Sequence, residues 1–396
     1  MTAAISRNIP LLYLIKISKW FMLYIPAVKL FYVENGLNDT DLFVLHAFYS
    51  FVIFLSEVPS GYLADVIGRK KTMVGGLFLG TAGFAAYAST SSYMGFLLAE
   101  IALGLGQSFI SGADSALLYD SLLQENRAHK YLRDESRITA SGNAAEALAG
   151  IVFTLLAFQS MRHYYAIQTF ITIIGLITAF FLIEPTQHAK TAKIGFDGIW
   201  HAVTNTLLHQ KQLSRYILFS SLIGFASLSM AWFAQIFLYE AGVKQANFGI
   251  YWTALNAMVF LGSLSAHRID RLLSNRGALI YILFFLSTGF IATSQFITSY
   301  GIGLLLIFKF VRGSAHPILK ERINALTTSE VRATVLSLRS LVIRILFAAL
   351  APLLGWCTER ISLESALILC GTIILFPGII LLFLIFRTMT TSSLSN

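Results

Sequence analysis

Six stretches of this chain contain no Asp, Glu, Lys or Arg: residues 72–99, 163–183, 216–239, 245–267, 277–308 and 365–386. Each matches or exceeds the roughly 20 apolar residues that carry a helix across a hydrocarbon layer about 30 Å thick. Inside such a layer every backbone N–H and C=O has to be paired within the protein, which leaves only helices or closed barrels. Barrel strands would alternate apolar and polar positions over segments of roughly ten residues, whereas these runs are apolar throughout. The expected fold class is therefore an all-α polytopic membrane protein. Composition agrees: 56% of the 396 residues are hydrophobic and 12% charged, against about 25% charged in soluble domains. That is too little charge to coat a soluble surface, which excludes an ordinary cytoplasmic enzyme.

The remaining crossings carry isolated charges. The expected set is 11–33, 42–62, 72–90, 97–118, 139–158, 164–183, 216–239, 247–267, 278–297, 300–320, 333–355 and 363–386, twelve in all, with QFITSY dividing the longest uncharged run. Connections on alternate sides differ sharply in charge. The side of the N-terminus holds nineteen basic residues, among them Arg7, Arg69, Lys70, Lys71, Arg127, Arg268, Arg322 and Arg387; the other side holds Arg162, Lys244 and Arg360. Basic residues are retained on the cytoplasmic side, so both termini are expected there. The net charge of +9 is then a topology signal rather than a nucleic-acid footprint, and no nucleic-acid partner is expected.

A polar stretch from Glu184 to Gln212 separates six crossings from six. The expected organisation is an N-terminal bundle over 1–183, a cytoplasmic linker over 184–214 and a C-terminal bundle over 215–396. Within the linker, residues 195–208 read as a short interfacial helix anchored by Trp200. No small-residue cleavage signal follows the early Arg7, so a retained first helix is expected rather than a signal peptide. The two cysteines, Cys357 and Cys370, lack metal-site spacing and read as buried small hydrophobes. No metal and no cofactor are expected.

An internal repeat supports the division. GYLADVIGRKK begins at Gly61 and GSLSAHRIDRL at Gly262, an offset of 201; GADSALLYD begins at Gly112 and GSAHPILKE at Gly313, the same offset. Asp120 then corresponds to Glu321. A shared offset of this kind argues for duplicated six-helix halves.

The segment Gly61 to Lys71 lies on the basic side between the second and third crossings. It resembles the signature loop of the major facilitator superfamily, Gly-x-x-x-Asp-x-x-Gly-Arg-Lys/Arg, at Gly61, Asp65, Gly68, Arg69 and Lys70. The resemblance implies two pseudo-symmetric six-helix halves, a transporter rather than an enzyme, and a conformational latch made of these residues with Asp120. That aspartate stands where the family places an acidic partner for the arginine, at the end of the fourth helix. On physical grounds Gly61 is expected to allow close helix approach, Gly68 to permit a tight turn, and Asp65 to accept from Arg69 or from backbone donors. A static clamp on topology is the other reading of the cluster. In the second copy Ala266 falls opposite Asp65 and Asp270 opposite Arg69, with Arg268, Asp270 and Arg271 as an expected local network. The stretch EVRATVLSLRS, preceded by Asn324, is similar to a feature of bacterial efflux-like members, which implies the bacterial inner membrane. The fifth crossing departs from the family's proton-coupled drug antiporters: it has Gly142, Gly150 and Glu146 but no proline.

Charges at membrane depth are expensive and usually face a cavity or a partner. Asp114, Glu146 and Glu57 are candidates for a coupling proton or substrate contact, with structural salt bridges as the alternative. Glu100 is expected near the lipid boundary. Lys16 and Lys19 read as snorkelling lysines or as transport residues, and Lys29 as snorkelling at the opposite face. Arg312, Arg339 and Arg344 are the candidate cations of the second half, and Arg339 and Arg344, five residues apart, point about 140° away from each other. Phe48, Tyr49, Trp232, Phe233, Tyr251 and Trp252 are candidate cavity aromatics. No Walker loop, HExxH or GxSxG occurs, so neither nucleotide-driven pumping nor these hydrolase chemistries is expected. The expected activity is secondary active transport, with proton-coupled export of a small hydrophobic or amphiphilic compound, by a monomer among membrane lipids and without an ATPase subunit. Transport of a polar metabolite or siderophore-like metal chelate is the alternative, and a non-transporting membrane receptor a third reading.

Overall fold

The structure is a computed structural model and describes residues 5–186, 210–327 and 332–393. Most of the expected linker, including the interfacial helix around Trp200, lies outside the described residues. Within them every regular element is helical: α1 Asn8–Trp20, α2 Val28–Glu34, α3 Asp39–Ile67, α4 Arg69–Ser89, α5 Tyr93–Ile110, α6 Ala113–Gln124, α7 Tyr131–Leu156, α8 Arg162–Phe180, α9 Lys211–Glu240, α10 Phe248–Gln295, α11 Ile302–Ala325, α12 Arg332–Arg360 and α13 Leu363–Ser393. Among the described residues ten helical segments are long and apolar enough to cross a membrane. The chain is a polytopic, all-α membrane protein.

Each expected crossing falls on a helix, and the differences have local causes. The first is interrupted between α1 and α2, because Pro26 lacks an N–H and disfavours helix at the residue before it. The fourth is interrupted between α5 and α6, where Ser111 is extended and Gly112 takes φ +82°. The fifth begins at Tyr131 rather than near 139, so Glu135 belongs to α7 instead of a loop. The eighth and ninth run through one element, α10, broken only at Ser274 with φ 59° and ψ 173°. The third, α4, is 21 residues long but rich in Gly, Ala and Thr, so it is less apolar than the ten.

The chain divides into two compact units. The first comprises Met1–Leu37, Phe48–Lys193 and Gln245–Thr253, and the second Asn38–Ala47, Ile194–Lys244 and Ala254–Asn396. In the first unit, Leu12, Ile15, Met73, Leu77, Ile110, Leu117, Leu118 and Ile138 form a buried core. Glycines make its close helix contacts: a Cβ on Gly76 would lie 2.9 Å from the Gly106 carbonyl oxygen, and one on Gly106 2.6 Å from that of Gly76. Without a hydrophobic drive between helices in lipid, small residues of this kind gain van der Waals contact by letting backbones meet. Gly150-x-x-x-Thr154 of α7 crosses Gly249-x-x-x-Thr253 of α10 in the same way, with Thr253 Oγ1 donating to Ala147 O at 3.2 Å.

In the second unit α9 is the most enclosed of the ten crossings. Gly262 of α10 packs on the Phe310 backbone of α11 and Gly313 of α11 on the Val259 backbone of α10, so each glycine lets the other helix in. Cys357 and Cys370 are both free and buried, as expected of small hydrophobes. Phe233, expected to line a cavity, is instead fully buried core, 4.9 Å from Phe43 and 6.1 Å from Phe290 between ring centres.

Candidate functional site

At the basic end of the first unit α3 stops at Ile67, and Gly68 (φ +99°, ψ 149°) turns the chain directly into α4. Only glycine accepts that φ without strain. The turn delivers Arg69, which is buried, to Asp120 at the end of α6: Arg69 Nη1 lies 3.1 Å from Asp120 Oδ2, and Asp120 is wholly buried. Asp65, one turn back on α3, is exposed and lies 3.8 Å from Arg69 Nη2. Arg69, Asp120 and Asp65 are thus brought together, with the strong contact to Asp120. Gly61 does not behave as expected. It is exposed, and an added Cβ would meet nothing within 4 Å, so no neighbouring helix approaches it closely.

A residue that sequence reasoning assigned to the linker completes this cluster. Glu184 accepts the backbone N–H of Arg69 at 2.8 Å and of Lys70 at 2.7 Å, and its carboxyl sits where a Cβ on Gly68 would fall, at 3.0 Å. It therefore caps α4, supplying the negative charge and the acceptors that a helix N-terminus lacks. Lys70 contributes its backbone to the site. Asn8 ties the adjacent segment: its amide donates to Ser121 Oγ at 2.9 Å and Ile183 O at 2.8 Å and accepts the Ile183 N–H at 2.9 Å.

Further in, the break at Gly112 places Asp114 in the first turn of α6. Its Oδ1 accepts the Ser115 N–H at 2.7 Å, and its Oδ2 pairs with Lys16 Nζ of α1 at 3.3 Å. Ser115 Oγ donates to Glu135 of α7 at 2.9 Å. Lys16, Lys19, Asp114 and Glu135 line one small cleft with Leu12, Ile15, Ile110, Leu118 and Ile138. A helix start inside the membrane leaves N–H groups without intrahelical acceptors, and a carboxylate answers them while Lys16 balances its charge. Glu57 of α3 and Glu146 of α7 are half-buried and stand apart from this cleft's lining.

Glu100 is buried within the first unit. It is 3% exposed, accepts from Tyr87 Oη at 2.5 Å, and Tyr87 is hydrogen-bonded to Tyr32 at 2.9 Å within a cluster that includes Phe31, Phe96 and Tyr165. Lys29 is likewise buried rather than snorkelling. Arg162, expected in an external loop, opens α8 and donates to Thr90 O at 2.6 Å, Ala88 O at 3.1 Å and Asn35 Oδ1 at 2.6 Å.

In the second unit Arg312, Arg339 and Arg344 are all half-buried. Arg339 Nε donates to Ser220 Oγ of α9 at 2.5 Å. The expected network among Arg268, Asp270 and Arg271 is replaced by an ion pair across helices, Asp270 of α10 with Arg322 of α11. Arg322 stands one residue from Glu321, which lies at the offset of 201 from Asp120, and the signs of this pair are exchanged relative to Arg69–Asp120.

Against known proteins, the chain matches the profile of the Major Facilitator Superfamily over residues 13–346. It belongs to the Major Facilitator Superfamily. Members are membrane transporters, not enzymes. An uncharacterized transporter of Buchnera aphidicola subsp. Schizaphis graminum is 28% identical over 154 residues, 39% of this chain and 38% of that protein. The inner membrane transport protein YajR of Escherichia coli K12 is 33% identical over 93 residues, 24% of this chain and 20% of that protein. The chain therefore aligns with well under half the length of these curated relatives. Among solved structures the nucleoside transporter NupG superposes with a TM-score of 0.74 at 14% identity, covering 98% of this chain and 99% of that one. A POT family transporter in complex with a thioalcohol-conjugated peptide gives 0.72 at 13% identity, covering 95% and 96%. These likenesses establish the superfamily fold. In that fold Arg69, Asp120 and the Asp114 cleft lie on helices of one unit, and Trp232, another expected cavity aromatic, stacks on His46 at 3.6 Å in the other.

Proposed function

We propose that this chain is a secondary active transporter of the bacterial inner membrane that exports a small hydrophobic or amphiphilic compound in exchange for protons. In this reading α4 and the two segments of α10 either side of Ser274 complete twelve crossings, arranged as six-helix halves over 1–183 and 215–396 joined by a cytoplasmic linker over 184–214. Both termini are cytoplasmic, the protein acts as a monomer, and the efflux-like subgroup is its place in the superfamily. The Asp65–Arg69–Asp120 cluster, capped by Glu184, is the latch whose ion pairs differ between states.

The observation that carries the coupling assignment is the Lys16–Asp114 pair at the interior break of the fourth crossing, beside a cleft shared with Glu135. In this reading the Asp114 carboxylate exchanges its Lys16 contact for the coupling proton during the cycle. The test is flux in proteoliposomes with an imposed proton gradient, first as a substrate screen, then for Asp114→Asn and Glu146→Gln. Asp114→Asn should lose gradient-driven accumulation while retaining substrate exchange. Normal accumulation and pH dependence in Asp114→Asn would remove the assignment. Uptake or release of a polar metabolite or siderophore-like metal chelate is the second reading, favoured by the half-buried arginines of the second unit.

A further inference from the structure

The second unit gathers cations on one face of α11. On α11, Arg312, His316 and Lys320 recur every four residues, so they share a face and step about 6 Å apart toward the basic end. Arg339 of α12, Arg312 and Lys320 all act electrostatically on His316. Two serines of α9 hold Arg339 from behind: buried Ser220 accepts from its Nε at 2.5 Å, and Ser221 donates to its backbone carbonyl at 3.3 Å. With Nε fixed, the guanidinium is oriented. Among the described residues its terminal Nη groups have no hydrogen-bond or ion-pair partner.

Among the described residues the carboxylates of the same unit stand elsewhere. Glu240 closes α9, Asp270 pairs with Arg322, Glu359 lies in the last turn of α12 and Glu364 in the first turn of α13. Glu321 is on α11 but five residues beyond His316, about 140° around the helix from it. Asp39 and Asp41 open α3. A half-buried arginine at membrane depth with an open fork marks a place where a charge of opposite sign is received, and a planar guanidinium suits a two-oxygen acceptor.

We propose that Arg339, flanked by Arg312 and His316 and oriented by Ser220, binds the oxyanion group of the transported compound, so that the substrate is an organic anion with an apolar body. This rests on the transport reading above and names its substrate class. Ser220 is a positioning residue, since it acts through Arg339.

The test uses full-length protein in nanodiscs of phosphatidylcholine alone, with dansyl-undecanoic acid and its methyl ester as probes. The acid should bind at least tenfold more tightly than the ester. Arg339→Gln should abolish that preference by weakening the acid about tenfold and leaving the ester unchanged, Arg339→Lys should retain part of it, and Ser220→Ala should weaken the acid by about threefold. Equal binding of acid and ester, no binding of the acid, or a preference untouched by Arg339→Gln overturns the proposal. If Arg339→Gln lowers the thermal midpoint, Arg339→Lys, which keeps the charge, decides alone. Competition by phosphatidylglycerol added to the nanodiscs, without flux of the acid in vesicles, would assign the site to a lipid headgroup and also overturn it. Gradient-driven flux of a neutral amphiphile that Arg339→Gln leaves intact would sustain transport and refute the anion site. Absence of all flux with the acid preference intact would do the reverse.

Discussion

Removing the Glu184 carboxylate should loosen the first turn of α4, and the structure gives the size of the effect. Glu184 accepts two backbone N–H groups, at 2.8 and 2.7 Å, at a helix start that has no other side-chain cap. Losing a cap costs about 0.5–2 kcal/mol, and losing a negative charge beside a helix N-terminus a further 0.3–1 kcal/mol or so. Glu184→Ala should therefore cost about 1–3 kcal/mol, a roughly 5- to 150-fold increase in local opening at about 1.36 kcal/mol per tenfold. Glu184→Gln keeps one acceptor oxygen but no charge, so about half that free energy is expected. Thr72 is buried in the same turn, so a maleimide should label Thr72→Cys only when the turn opens, in a background with Cys357 and Cys370 replaced by serine. The labelling rate should rise in the order parent, Gln, Ala. Equal rates in all three, or a larger effect for Gln than for Ala, would refute the capping argument.

Asp120→Asn should lower thermal stability far more than Asp65→Asn. Breaking a buried pair costs about 3–5 kcal/mol, whereas the contact of exposed Asp65 is worth less than about 1 kcal/mol; melting of the purified variants in the reverse order would show that Asp120 is not the principal partner. Gly249→Ala puts a methyl group onto the Gly150 carbonyl, and overpacking of this kind costs about 1–3 kcal/mol. It should raise the labelling rate of a cysteine at Thr154, while Gly303→Ala, with nothing within 4 Å of its Cβ, should not; equal rates would mean the crossing is loose. Exchanging the charges of Asp270 and Arg322 together should restore the stability that either single reversal loses, and a double variant no better than the singles would deny that the two residues act as a pair.

The crossings were legible because lipid imposes a one-dimensional signal: a run without charge long enough to span is visible whatever packs against it. The helix interruptions were partly legible in retrospect, since Pro26 and Gly112 mark them, but proline and glycine also occur within continuous helices here, as Pro59 and Gly80 do. What could not be read was any property belonging to a pair of distant residues. Glu184 reads as the first residue of a polar linker, and only the fold carries it back to Gly68. Glu100 has the same composition around it whether its helix face meets lipid or Tyr87. Lys16 and Asp114 were both singled out, but nothing in their separate surroundings announces their 3.3 Å contact.

The two copies of the signature loop show why motif reading has this blind spot. At an offset of 201, Asp270 replaces Arg69, which looks like the loss of the latch. Yet an ion pair is indifferent to which helix carries which sign: Asp270 finds Arg322, one residue past the position corresponding to Asp120. Glycine contacts follow the same logic in the other direction. Gly262 and Gly313 each let a neighbouring backbone in, while Gly61 and Gly112, their counterparts, have nothing within 4 Å. A linear motif records residue identity, but a helix interface requires complementarity. The second copy keeps a salt link and gains a tight backbone contact through residues that a pattern built on the first would score as departures.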